Sequence, residues 1–152
     1  MSERTSRSRP GNDDRGTEER ACIAAAESRL AELSEGYEDL VARDIERMGA
    51  LLEAAWRKPA GRGSERVAMF DICHNLKGQG GTFGYDLLTR IGASLCDFLR
   101  RRDDLNDTEL GVVRLHVAAL DVVVQRRIKG AAKKLADSMQ AKLDQAIAQA
   151  ES

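Results

Sequence analysis

His74 is the side chain in this sequence best placed to do chemistry. It stands in the run Cys73-His74-Asn75-Leu76-Lys77-Gly78-Gln79-Gly80-Gly81-Thr82-Phe83-Gly84, preceded by good helix formers from Glu65 to Ile72. Placed about 100° apart on a helix, Met69, Ile72, Cys73, Leu76, Gly80 and Phe83 make one apolar stripe. His74 falls roughly 150° from the middle of that stripe. Phe70, Asp71, Lys77, Gly78 and Gly81 are its neighbours on the helix. A glycine in a helix interior costs about 0.5–1 kcal/mol relative to alanine, so four of them at 78, 80, 81 and 84 need a reason. Gly80 faces the core, where it lets another helix approach, and Gly84 suits the left-handed cap of a helix end. Gly78 and Gly81 share the face of His74, and no packing reason is visible there. Bare backbone leaves the imidazole clear for close approach by another macromolecule. Imidazole, with a free pKa of about 6.5, offers a neutral nucleophilic nitrogen at cytoplasmic pH and can attack phosphorus. Lys77, one turn on, is within helical reach of the anion that would result.

The pattern His-x-Leu-Lys-Gly-x-x-Gly-x-Phe-Gly resembles the signature of histidine-containing phosphotransfer (HPt) domains and of the phosphorylated domain of chemotaxis histidine kinases. The likeness is close over residues 70–100 and looser over about 36–128. It implies that His74 accepts a phosphoryl group from a receiver-domain aspartate, or through a histidine kinase pathway, and passes it to a response regulator. It also implies that Lys77 steadies the phosphate and that the small residues let the receiver dock. The docking set expected around His74 is Phe70, Asn75, Gly78, Gln79, Gly81, Gly84 and Tyr85.

With 152 residues, two prolines, and only three Phe, two Tyr and one Trp, the chain reads as one helical domain built on Ala and Leu. A net charge of −1, with basic residues dispersed among acidic ones, gives no nucleic-acid surface. No run approaches the roughly 18 apolar residues of a membrane span, and the arginine-bearing N-terminus lacks the apolar core of a secretory signal. Three cysteines without metal-like spacing read as reduced thiols, and the expected location is cytoplasmic.

The elements that must position His74 follow from periodicity and breakers. Residues 1–17 contain almost nothing apolar and read as a disordered tail. Thr17 is expected to cap a first helix carrying Ile23, Ala26, Leu30 and Leu33, broken at Ser34-Glu35-Gly36. A second helix runs from Tyr37 to Lys58 with Val41, Ile45, Met48, Leu52 and Ala55 inward, and Pro59 to Gly63 form a loop. Ser64 is expected to cap the His74 helix, and Asp86 the next, which presents Leu88, Ile91, Leu95, Phe98 and Leu99. After a turn at Asp103–Asp107, a last helix starts at Thr108 and keeps its rhythm past Gly130 to Ile147. The expected fold is all-α: an antiparallel up-down four-helix bundle with an extra N-terminal helix and an extended C-terminal helix. The corresponding division is a tail at 1–17, an HPt-like bundle at 18–128, and the extended helix at 129–152. A monomer is favoured over a homodimer paired through that long helix.

The residues around His74 and elsewhere also admit other roles. His116, one position before core Val117 and without glycines around it, reads as helix-surface packing. Adjacent Cys73 and His74 point about 100° apart, and no further Cys/His cluster completes a metal site. Val67, Phe70 and Tyr85, apolar on the His74 side, are either a partly covered stripe or a docking patch. Gly78-Gln-Gly-Gly81 lacks the Lys-Ser/Thr ending of a phosphate-binding loop, so the chain is expected to carry phosphate without using ATP. No cofactor is expected, any Mg²⁺ being held by the receiver. Expected partners are receiver domains of response regulators or a hybrid histidine kinase. The alternatives are a receiver-binding adaptor without net transfer and a structural dimer built on residues 108–150.

Overall fold

The computed structural model describes residues 12–130 and 132–152. All regular structure among them is helical: α1 (Asn12–Trp56), α2 (Gly63–Gly80) followed by a 3₁₀ turn (Gly81–Phe83), α3 (Asp86–Arg100), α4 (Asp107–Gln125) and α5 (Lys133–Glu151). The chain divides into two units, 1–36 and 37–152. In the first, the described residues are the opening turns of α1, whose Ile23, Leu30 and Leu33 are exposed. In the second, one hydrophobic core draws on all five helices, from Tyr37, Val41 and Met48 through Leu76, Leu95 and Leu120 to Leu143.

Local chemistry explains where most helices stop. Arg62 precedes α2 without a side-chain cap of its own. Its buried guanidinium instead donates to Ala55 O (2.8 Å), Leu105 O (2.9 Å) and Asp107 Oδ1 (2.7 Å), tying the end of α1 to the start of α4. α4 opens with a capping box, Asn106 Oδ1 accepting from Glu109 N while Glu109 Oε2 accepts from Asn106 N. At the end of the 3₁₀ turn Gly84 is left-handed (φ 79°), with Tyr85 N donating to Gly80 O and Gly84 N to Gly81 O. That is a Schellman closure, and glycine suits its left-handed position.

Several expectations are corrected. The tail expected over 1–17 lies outside the described residues up to residue 11, and residues 12–17 belong to α1. Thr17 is therefore not a cap; its Oγ1 donates back to Asp13 O inside the helix. The break at Ser34-Glu35-Gly36 does not occur, because one glycine costs about 1 kcal/mol but, unlike proline, keeps its N–H and clashes with nothing. Ser64 lies within α2, where its hydroxyl turns to Glu65 Oε2, and Asp86 is the first residue of α3 while Tyr85 holds the cap position.

The long C-terminal helix is also interrupted. α4 ends in a second Schellman closure, Ile128 N donating to Val123 O and Arg127 N to Val124 O, with Arg127 left-handed at φ 48°. Gly130, at φ 75°, completes the turn, and its N–H donates to Gly84 O at 2.9 Å. α5 is thus a separate helix, packed on α3 and α4 through Ala136 and Leu143. Of the apolar residues that continue the stripe into α5, Ala136 and Leu143 are buried, Met139 and Ile147 are half-buried, and Leu135 is exposed.

Candidate functional site

The site is built on α2, and its two faces are as different as the sequence pattern requires. Met69, Ile72, Cys73, Leu76 and Gly80 are buried, Phe83 is partly buried, and His74 is exposed. Among the described residues nothing hydrogen-bonds either ring nitrogen of His74. Phe70, one turn earlier, stacks beneath the imidazole with ring centroids 5.9 Å apart and planes 17° from parallel. Arg100, at the end of α3, lies over the same phenyl ring at 5.7 Å. Phe70 thus flanks the imidazole on one side, and His74 stays exposed to solvent. Lys77 is half-buried at i+3 and has no ion-pair partner among the described residues. Asp71, at i−3, is exposed on the same face.

The glycines separate into two kinds. A Cβ at Gly78 would meet nothing within 4 Å, and one at Gly81 would lie at an ordinary 3.9 Å from Thr89 Oγ1. A Cβ at Gly80 would lie 2.7 Å from Thr89 Oγ1 and 3.0 Å from Tyr85 O. Gly80 is thus required by the packing of α2 on α3, whereas Gly78 and Gly81 are bare beside His74 without packing need. Asn75 and Gln79 are exposed on this helix, and Gly84 is half-buried in the turn that closes it.

Tyr85 belongs elsewhere. Expected beside His74 as a docking residue, it is fully buried, and its hydroxyl donates to Glu38 Oε1 at 2.6 Å. Burial and the Glu38 carboxylate both push that phenol's pKa up. Arg127 and Lys129 hold the same carboxylate at 3.3 and 3.5 Å, so Tyr85 fastens α1 to the turn before α5. Val67 is exposed and Phe70 half-buried, which leaves these two as the apolar residues of the His74 side.

His116 is also not where its pattern put it. It is fully buried, with Nδ1 2.8 Å from Val112 O and Nε2 3.0 Å from Ser94 Oγ. Desolvation lowers its pKa, partly offset by the Val112 carbonyl. Both nitrogens are used inside the core, so this histidine is structural.

Three residues near the site escaped the sequence reading. Gly92 brings α3 against α2, since a Cβ there would lie 3.3 Å from Lys77 N and 3.4 Å from Cys73 O. Its place on the stripe of Leu88, Ile91 and Leu95 was the available signal. Arg100 offered none, because its partner Phe70 is distant in sequence. Cys96 faces Cys73 with sulfurs 2.9 Å apart. Among the described residues no group of three or more His, Cys, Asp or Glu side chains could hold a metal ion, and no helix is long and apolar enough to cross a membrane. No protein-family model, curated protein or solved structure matches the chain.

Proposed function

We propose that this protein is a phosphorelay intermediate of the HPt type, in which His74 takes a phosphoryl group from a receiver-domain aspartate and returns it to another. The observation that carries this reading is an exposed, unbonded imidazole flanked by bare Gly78 and Gly81 and by Lys77, which has no ion-pair partner among the described residues. In the transfer, a ring nitrogen forms the N–P bond as the acyl-phosphate O–P bond breaks, and the aspartate carboxylate leaves. Lys77 offsets the negative charge brought to the imidazole. Phe70 restricts the ring's tilt, and the glycines admit the receiver's rim. Mg²⁺, where used, belongs to the receiver. The chain itself carries phosphate and does not hydrolyse ATP.

The same reading supplies an architecture: residues 37–125 as an antiparallel up-down four-helix bundle, with α5 laid against it. The protein is a cytoplasmic monomer that meets receivers, or a hybrid kinase, through the exposed face of α2.

The experiment is transfer from phosphorylated receiver domains to wild type and His74→Gln. Label that appears on wild type, is lost in acid, survives alkali and is absent from His74→Gln supports the relay. Label retained by His74→Gln overturns it. Receiver binding with no label on wild type replaces it with the adaptor reading.

A further inference from the structure

The molecule carries a second reactive arrangement that phosphotransfer does not use. Cys73 on α2 and Cys96 on α3 are both fully buried, and their sulfurs approach to 2.9 Å. The third cysteine, Cys22, is exposed. We propose that Cys73 and Cys96 form a redox-active dithiol, oxidised by a small hydroperoxide to a disulfide that joins α2 to α3.

Geometry makes the bond accessible. A disulfide has an S–S length of about 2.0 Å, so the two sulfurs need to close by about 0.9 Å. The helices that carry them are already at close quarters, because Gly92 sets α3 directly against the backbone of Cys73 and Lys77. The sulfurs face each other between these helices, so closing the gap calls for side-chain adjustment and no rearrangement of the fold.

The two thiols are not equivalent. Cys73 is pushed up by its hydrogen bond with Cys96 and by burial. Cys96 is pulled down, first by that hydrogen bond and then by Lys77 and Arg100. This makes Cys96 the attacking sulfur. Its thiolate attacks the terminal peroxide oxygen, the O–O bond breaks with loss of alkoxide (hydroxide when the oxidant is hydrogen peroxide), and the sulfur becomes a sulfenic acid. Cys73 then attacks that sulfur, the S–S bond forms, and the sulfenic oxygen leaves as water. In sum, two thiols and one hydroperoxide give one disulfide, water and an alcohol, or two waters when the oxidant is hydrogen peroxide. Burial slows the first step and also blocks competing partners, because a second protein thiol cannot reach either sulfur. An intramolecular bond is the outcome that the enclosure selects.

The inference stands independently of the phosphotransfer reading, although the bond would sit one residue from His74. It is tested on full-length Cys22→Ser protein, which removes the exposed thiol, treated with excess hydrogen peroxide. Intact mass is expected to fall by two hydrogen atoms, and a peptide joining Cys73 to Cys96 is expected after proteolysis. Dithiothreitol should reverse both, and the oxidised protein should melt several degrees higher than the reduced one. The same protein carrying Cys96→Ser should lose the mass change. Unchanged mass at full exposure to peroxide would overturn the proposal. So would addition of oxygen at either residue in place of hydrogen loss, since it would mean that the sulfurs do not meet. Both results are read on a chain with its buried pair intact, whose one substitution is at an exposed position.

Discussion

Replacing Gly80 and Gly78 separately by alanine gives the sharpest test of how α2 is positioned. Both lie in the same helix, two residues apart, so propensity treats them alike: alanine gains about 0.5–1 kcal/mol over glycine in a helix interior. Packing does not treat them alike. At Gly78 the new methyl enters open space. At Gly80 it would meet Thr89 Oγ1 at 2.7 Å, Tyr85 O at 3.0 Å and Thr89 N at 3.2 Å. The hydroxyl could rotate away, but the other two atoms are backbone of the turn and first helical residues of α3. Moving them strains the Schellman closure at Gly84. Overpacking of this kind costs about 1–3 kcal/mol, so Gly80→Ala should destabilise by about 1–2 kcal/mol after the propensity gain. The two variants should lie on opposite sides of wild type and differ by about 1.5–3 kcal/mol, on the order of 10 °C in Tm for a folded unit of this size. Urea denaturation with circular dichroism measures it, and an unchanged m-value would show that only stability moved. The reasoning is refuted if Gly80→Ala is as stable as Gly78→Ala. The same pair addresses function: Gly78→Ala should be more stable yet slower in accepting phosphate, because its methyl stands beside His74.

Three further outcomes are expected. Lys77→Ala should keep the fold and lower phosphoryl transfer to His74 roughly 10-fold, by about 1.4 kcal/mol of lost charge stabilisation, measured as single-turnover rates from a labelled receiver. Arg62→Ala should destabilise by about 3 kcal/mol, because it strands the carbonyls of Ala55 and Leu105 that the guanidinium now satisfies; Arg62→Lys should recover little in urea melts, lacking the planar fork. Buried His116 resists protonation in the folded state, whereas the unfolded chain accepts that proton near pH 6.5. Stability should therefore hold above that pH and fall as pH drops below it, by at most about 1.4 kcal/mol per pH unit. His116→Gln should flatten this slope in urea midpoints taken from pH 7.5 to 5.5, and an identical slope in the variant would refute the assignment.

Residues 70–84 determined a good deal without help. Their 3.6-residue period separated His74 from the buried stripe, and the offsets of Lys77, Gly78 and Gly81 put those residues on its side. These are properties of one helix, and one helix is legible in its own sequence because neighbours at i+3 and i+4 meet whatever else the chain does. The core residues Val41, Leu76, Leu95 and Val117 were readable for the same reason. What tertiary structure alone decided involves partners distant in sequence. Tyr85 looked like a surface aromatic until Glu38, Arg127 and Lys129 closed around its hydroxyl. His116 looked peripheral until Ser94 supplied a partner that let it be buried. The interruption at Arg127–Gly130 was hidden because Arg127 adopts a left-handed angle that its side chain does not announce, and the apolar rhythm runs through the turn unchanged. The closeness of Cys73 to Cys96 depends on Gly92 meeting α2, a contact between two helices that periodicity along either one cannot express.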